Sequence, residues 1–170
     1  MKKLAIISTF ISVLSLNNAY AADGTISFTG KITATACSVS TSGNSVTMGS
    51  ISTNAFGSSG DTAAAKAFNI VLTGCPSDST TVNVRFDGTR NTANPSILAL
   101  TSGTGVASNV GIALYESDGS TLIPLNTDSA QKTLVSGDNT LPYVAKYMST
   151  ASSVGAGKAD AVAYFTIIYP

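Results

Sequence analysis

Cys37 and Cys75 are the side chains of this sequence whose type and number point most directly to chemistry. They are the two cysteines of the chain, and an even pair in an exported protein is typical of one disulfide. Their wide separation does not match the C-x-x-C spacing of a redox pair. We therefore predict a structural bridge, contributing on the order of 4 kcal/mol in the chain-entropy model.

The sequence contains neither histidine nor tryptophan. Catalysis by Ser-His-Asp or Cys-His groups is therefore excluded, as is any zinc or copper site built on histidine. Two cysteines also cannot form a four-cysteine metal site. We predict that the chain is not an enzyme and needs no cofactor or metal.

Two weaker patterns involve charged residues. The nine carboxylates are scattered and mostly lie in turn-like stretches, among them Asp61, Asp78, Asp87, Glu116, Asp118 and Asp128. A glycosidase needs two carboxylates facing each other across a substrate. Folding could assemble such a pair, but solvated turn residues are the favoured interpretation. The stretch GAGKA at 155–159 is not a phosphate-binding loop, because Ala159 stands where that motif requires Ser or Thr.

The N-terminus has the three parts of a secretory signal peptide. A basic start, Met1–Lys3, precedes the apolar run Leu4–Leu16, and Ala19-Tyr20-Ala21 offers an A-x-A cleavage site. The alternative, a membrane anchor, needs roughly 20 apolar residues, and this run is shorter. We predict residues 1–21 as the signal peptide of an exported chain.

The charge balance of the exported chain limits its partners. Without the two leader lysines, seven basic side chains remain against nine acidic ones. This slightly acidic balance argues against nucleic acid or an anionic membrane as a partner. No later segment has the pattern of a transmembrane helix, so direct membrane insertion is not expected.

Short alternating apolar runs, separated by Gly, Asn, Ser and Asp turns, recur along the chain. They include residues 68–72, 82–86, 110–114 and 143–147. Without alternating helices, this pattern predicts a single antiparallel sandwich or barrel. Asp118-Gly119 suits a hairpin, and Pro124 limits the returning segment to an edge or a bulge. Residues 63–67 are predicted as a short helical turn.

The last strand of the chain is apolar on both faces. Ala161, Ala163, Phe165, Ile167 and Tyr169 form one face, and Val162, Tyr164 and Ile168 make the other nearly as apolar. A strand of this kind usually lies inside a sheet, covered above and below. A partner strand beside it is therefore expected.

The N-terminus of the exported chain alternates in the same way, through Ile26, Phe28, Gly30 and Ile32, just before Cys37. At the other end, Tyr169 is next to last and Gly157 is fourteenth from the end. Together with the leader and Cys75-Pro76, these features make the whole exported chain resemble subunits of bacterial chaperone–usher pili, of the type 1 fimbrial pilin family. A terminal Pro170 is a small departure from that family's pattern.

The resemblance implies an incomplete immunoglobulin-like antiparallel sandwich, the pilin fold, completed by a donor strand from a chaperone or a neighbouring subunit. Residues 22–36 would form the donor extension and residues 37–170 the sandwich. Five donor residues would face successive pockets, with Gly30 in a shallow fourth one: Gly24, Ile26, Phe28, Gly30 and Ile32. The chaperone strand would lie along the end of the chain, at Gly157, Ala163, Phe165, Ile167 and Tyr169, with the carboxylate of Pro170 held by basic chaperone residues.

The function implied by this resemblance is that of a structural subunit of a bacterial surface fimbria that supports cell adhesion. The expected partners are a periplasmic pilus chaperone, an outer-membrane usher, and identical or related pilin subunits in a linear fibre. The expected route is export through the periplasm to the cell surface.

A second interpretation needs no partner strand. Residues 26–32 would then be the first strand of a self-complete exported sandwich, with Gly30 marking a bulge. Such a module would bind a carbohydrate or act as an adhesin. The absence of tryptophan and the small number of tyrosines argue against a sugar site, since sugars often stack on aromatic rings.

Overall fold

In a computed structural model, the chain is described at residues 26–30, 36–40 and 45–170. It divides into two compact units, Met1–Ile32 and Thr33–Pro170. The predicted signal peptide, and the predicted donor positions Gly24 and Ile32, lie outside the described residues. The described part of the chain contains no helix long and apolar enough to cross a membrane.

The second unit is built from strands. One short 3-10 helix, Thr53–Ala55, precedes the long strands. The strands are β1 Ser38–Val39, β2 Thr62–Cys75, β3 Thr81–Gly88, β4 Val110–Glu116, β5 Lys132–Thr133, β6 Gly137–Ser149 and β7 Ala163–Ile168.

The strands form two antiparallel sheets. The first has the order β1-β2-β6-β4, and the second has the order β5-β3-β7. The inward side chains of both sheets share one core, in which Phe86 of β3 packs edge-on against Tyr143 of β6 with ring centroids 5.2 Å apart. The predicted all-β antiparallel sandwich is confirmed.

The predicted disulfide is also present. Cys37 is bonded to Cys75, and both residues belong to the buried core. Cys37 directly precedes β1, while Cys75 is the last residue of β2. The bridge therefore fixes the start of the sandwich to the end of a central strand.

Two local predictions have different outcomes. The helical turn expected at 63–67 is wrong, because β2 runs through it with a register shift between Ala63 and Lys66 and with Ala64 at φ 56°. Pairing with β6 along this stretch outweighs the helical propensity of the alanines. The hairpin at Asp118-Gly119 is correct: Gly119 has φ 67° and donates its N–H to the carbonyl of Glu116. The segment after it returns without forming a strand of its own.

Strand β4 is buried on both faces, although alternation alone predicts one solvent-facing side. Its outer face packs in a second apolar cluster with Ile97, which comes from the long connection between β3 and β4. Leu98 of the same connection exchanges two backbone hydrogen bonds with Ile112. A Cβ atom placed on Gly111 would meet the Leu98 carbonyl oxygen at 2.5 Å.

The close approach of the Leu98 carbonyl group to Gly111 generates a prediction. We expect Gly111→Ala to lower the free energy of unfolding by roughly 1–3 kcal/mol, because the added methyl group must displace backbone. Gly103→Ala is a matched control, since the nearest atom to its added Cβ is 3.9 Å away. The measurement is guanidinium unfolding of both variants. Equal unfolding midpoints for the two variants would show that the Leu98 carbonyl group does not lie this close to Gly111.

Candidate functional site

Strand β7 lies at the edge of its sheet. On one side it pairs with β3 over six residues, from Asn83 opposite Ile168 to Gly88 opposite Ala163. On its other side, no strand of the described residues pairs with it. Its backbone therefore presents a row of N–H and C=O groups that can accept another strand.

The inward side chains of β7 are incompletely covered. Phe165, Ile167 and Tyr169 pack against the core, as does Ala161 just before the strand, yet all of them are only half-buried. The inward residues of the neighbouring strand, such as Val82 and Val84, are fully buried. Core surface is thus left open beside β7, where the next strand of the sheet would lie.

A segment without strand pairing, residues 45–51, forms the opposite wall of this opening. Its Val46 and Met48 are half-buried and alternate with the exposed Ser45 and Thr47. Together with β7 they line a cavity of about 230 Å³, whose floor is formed by core side chains of both sheets: Phe68, Ile70, Phe86, Leu98, Ile112 and Leu114. We call the opening between β7 and residues 45–51 the groove.

The groove continues past the first cavity. A second cavity of about 350 Å³ is lined by Gly49 and Ile51 on one side and by residues 154–160 on the other. Along one wall the residue numbers rise from 46 to 51, while along the other they fall from 165 to 157. The two walls therefore run in opposite directions, with room for an extended segment between them.

The predicted residues of the terminal segment lie in different environments. Ala163 and Phe165 line the first cavity, Ile167 and Tyr169 continue the inward face, and Pro170 is exposed. Gly157 precedes β7 and lies in a loop against residues 105–107. A Cβ atom there would meet the Gly105 carbonyl oxygen at 2.6 Å. A close backbone approach therefore accounts for this glycine.

Residues 26–30 of the predicted donor segment belong to the N-terminal unit. Ile26 and Phe28 are exposed to 79% and 90%, and a Cβ atom at Gly30 would meet nothing within 4 Å. Both large apolar side chains are therefore accessible to solvent.

Tyr169 makes the polar contact at the C-terminal end of the groove. Its hydroxyl oxygen accepts a hydrogen bond of 3.1 Å from the backbone N–H of Cys37. The point where the N-terminal segment joins the sandwich therefore lies next to the end of β7. The sequence offered no signal for this contact between residues 132 positions apart.

Within the described residues, the carboxylates take part in no cluster of three side chains that could ligate a metal. Hydrogen bonds from Thr121 and Ser120 hold the pKa of Asp118 below its usual range, as expected for a turn residue. Glu116 differs from the turn interpretation, because it is buried and bound by the Lys132 ammonium group at 2.8 Å. These interactions stabilise turns and strand ends, whereas the first cavity of the groove is lined mainly by apolar side chains.

Sequence reasoning missed the part of the groove lining that comes from residues 46–56. Val46, Met48 and Phe56 line it, but their stretch carries only two alternating apolar residues among Ser, Thr and Gly. That alternation was a weak strand signal.

Comparison with known proteins agrees with this geometry. The family model described as "Fimbrial protein" matches residues 26–170. The chain belongs to the fimbrial protein family.

Relatives of the subunit match most or nearly all of its length. It is 35% identical to long polar fimbria protein A of Salmonella typhimurium, over 99% of this chain and 97% of that protein. It is 39% identical to the fimbrial subunit type 1 of Salmonella typhimurium, over 86% of this chain and 82% of that protein.

Solved structures give the same result. A type I fimbria protein of Burkholderia pseudomallei matches with a TM-score of 0.63 and 37% identity, covering 81% of this chain and 91% of that one. The P pilus rod subunit PapA has a TM-score of 0.65 at 22% identity, over 79% of this chain and 99% of that one, which is a likeness of fold. The fimbrial subunit therefore has the immunoglobulin-like fold of chaperone–usher pilins. It is a structural protein of the pilus, exposed at the cell surface, and not an enzyme.

The half-open core of the fimbrial subunit generates a prediction from two phenylalanines that face each other across β3 and β7. Phe86 is 2% exposed, whereas its partner Phe165 is half-buried in the groove. In the isolated subunit we expect Phe86→Ala to cost about 3–5 kcal/mol and Phe165→Ala about half as much, because less apolar contact is lost. Guanidinium unfolding of the two variants measures both. Equal costs would contradict an open groove.

Proposed function

We propose that the groove accepts a donor strand, and that the fimbrial subunit polymerises by donor-strand exchange. The observation that carries this proposal is β7 itself, a strand with an unpaired edge beside core side chains that are only half-buried. An extended peptide that adds to a sheet edge gains backbone hydrogen bonds, and its alternate side chains enter the core. The groove offers an unpaired strand edge for these hydrogen bonds and open core surface for these side chains.

The N-terminal segment has the properties of the donor. Ile26 and Phe28 are exposed and alternate, as the inward residues of an added strand must. Burying each of them in a groove would contribute roughly 1.5–3 kcal/mol. In this proposal Gly30 lies at a shallow position, where a larger side chain would collide with the floor.

The contact between Tyr169 and Cys37 supports exchange between molecules over insertion within one. Every strand pair of the described sheets is antiparallel, and a donor antiparallel to β7 must have its C-terminal end at the Ala161 end of the groove. The subunit's own extension is instead attached at Cys37, beside Tyr169.

Distance makes this argument quantitative. From Tyr169 to Ala161 an extended strand covers about 26 Å, at roughly 3.3 Å per residue. The linker from Ile32 to Cys37 spans at most about 18 Å, at up to 3.6 Å per residue. A subunit's own extension therefore fits its own groove only parallel to β7, and the antiparallel arrangement requires a second subunit.

The same groove explains the need for helper proteins. Before assembly, an open apolar groove is an aggregation hazard, so we infer that a periplasmic chaperone supplies a temporary strand along Ala163, Phe165, Ile167 and Tyr169. The exposed carboxyl end at Pro170 is free to be held by basic chaperone residues. The proposal also includes passage of the subunit through the periplasm and its transfer at an outer-membrane usher. The finished fibre would then support cell adhesion.

The alternative, a self-complete carbohydrate-binding sandwich, has less support. The unpaired edge of β7 argues against a complete sheet, and most of the side chains that line the first cavity are aliphatic or phenylalanine.

The test uses the purified subunit with Phe28→Asp in its own extension, which prevents it from acting as a donor. A peptide of residues 22–35 is added, and we expect it to raise the guanidinium midpoint strongly, because it binds only the folded state. A peptide with Gly30→Trp should lose most of this gain. The matched control is a peptide with Thr29→Trp, whose substitution lies on the outward face and should be tolerated. A stable subunit that ignores all three peptides would overturn donor-strand exchange.

A further inference from the structure

We propose that Tyr169 couples the two assembly sites of the subunit, so that filling the groove fixes the root of the subunit's own donor extension at Cys37. This inference rests on the proposed function, because it assigns a positioning role to a residue at the end of the same groove. The hydroxyl group of Tyr169, not only its ring, carries the effect.

Tyr169 belongs to the groove by position and packing. It follows β7 directly, since Ile168 is the last residue of that strand to pair with β3. Its side chain is half-buried against the core, on the same face as Phe165 and Ile167. The free edge of β7 extends to this residue, so the position of Tyr169 depends on whether another strand holds that edge.

Cys37 is the point where the sandwich begins. Its side chain is bonded to Cys75 and is 8% exposed, and the next two residues pair with Thr73 and Leu72 of β2. Cys37 itself lies one residue before that ladder, and its N–H donates to the Tyr169 hydroxyl at 3.1 Å. This bond links the backbone at the start of the sandwich to the side chain of the residue that follows β7.

The coupling follows from local stability. A strand end with one unpaired edge opens more often than one held on both sides. When a donor strand pairs with β7, the end of β7 opens less, and the Tyr169 hydroxyl stays within reach of the Cys37 N–H. By linkage, losing this hydrogen bond must also weaken donor binding by the same factor. A subunit already joined to one neighbour thereby presents its own extension from a fixed root.

The chain offers a matched control at the other end of the groove. The Tyr147 hydroxyl donates a hydrogen bond of 3.2 Å to the carbonyl of Ala159, which packs against the same core. Tyr147→Phe therefore removes one phenolic hydrogen bond near the groove and leaves Cys37 untouched. Tyr169→Phe removes the bond to Cys37 and keeps the aromatic ring.

The experiment measures hydrogen exchange of the Cys37 amide by NMR, in the subunit carrying Phe28→Asp, with and without the peptide of residues 22–35. We expect the peptide to slow exchange at Cys37 roughly five- to tenfold, the size of one hydrogen bond, in the parent protein and in Tyr147→Phe. In Tyr169→Phe the slowing should disappear, and the peptide should bind about five- to tenfold more weakly. Exchange of β3 amides reports that each variant is folded.

Two failures are distinguishable. If the peptide binds and slows exchange along β7, but Cys37 responds equally in the parent protein and in Tyr169→Phe, the coupling through Tyr169 is wrong and donor-strand binding stands. If the peptide does not bind the parent protein, the proposed function itself is overturned.

Discussion

The unpaired edge of β7 is the constraint on which the rest of the structure depends. A strand in a sheet needs partners for its backbone groups and cover for its inward side chains, but β7 is paired on one side only and none of its residues is buried. The fold does not close this edge by a bulge, a charge or a covering helix in the described residues. It leaves a groove walled by residues 45–51, with core side chains as its floor. The edge that the described fold leaves unpaired is therefore the same edge at which we propose that subunits assemble.

The disulfide and the backbone hydrogen bond of Cys37 place the start of the sandwich at one end of the groove. The disulfide to Cys75 places the root of the N-terminal extension, and the contact with Tyr169 sets this root at one end of β7. Because the linker is too short to reach the other end, the extension of one subunit and the groove of the same subunit cannot satisfy each other antiparallel. Under the proposed donor-strand exchange, a linear fibre follows from this placement, because each subunit would offer one strand and accept another.

Much of the fold could be predicted from the sequence, for identifiable physical reasons. Alternation at Val82, Val84 and Phe86 and the even cysteine count each reflect a strong local rule, and both predictions are confirmed. The helical turn predicted at 63–67 is wrong, because pairing with β6 outweighs the helical propensity of the alanines there. The wall at Val46 and Met48, the crossing over Gly111 and the Tyr169 contact depend on residues distant in sequence, which periodicity does not report. The donor positions Gly24, Ile26, Phe28, Gly30 and Ile32 stay predictions.

The most direct measurement of the central claim moves the donor segment. Residues 22–35 are removed from the N-terminus and attached after Pro170 through a short glycine-containing turn, so that the segment can run antiparallel to β7 in the same molecule. The account predicts a monomer whose free energy of unfolding exceeds that of the subunit in its natural order by roughly 5 kcal/mol or more, from burial of three large side chains. Equal stability of the two arrangements would show that the groove does not need an antiparallel strand, and it would contradict the account.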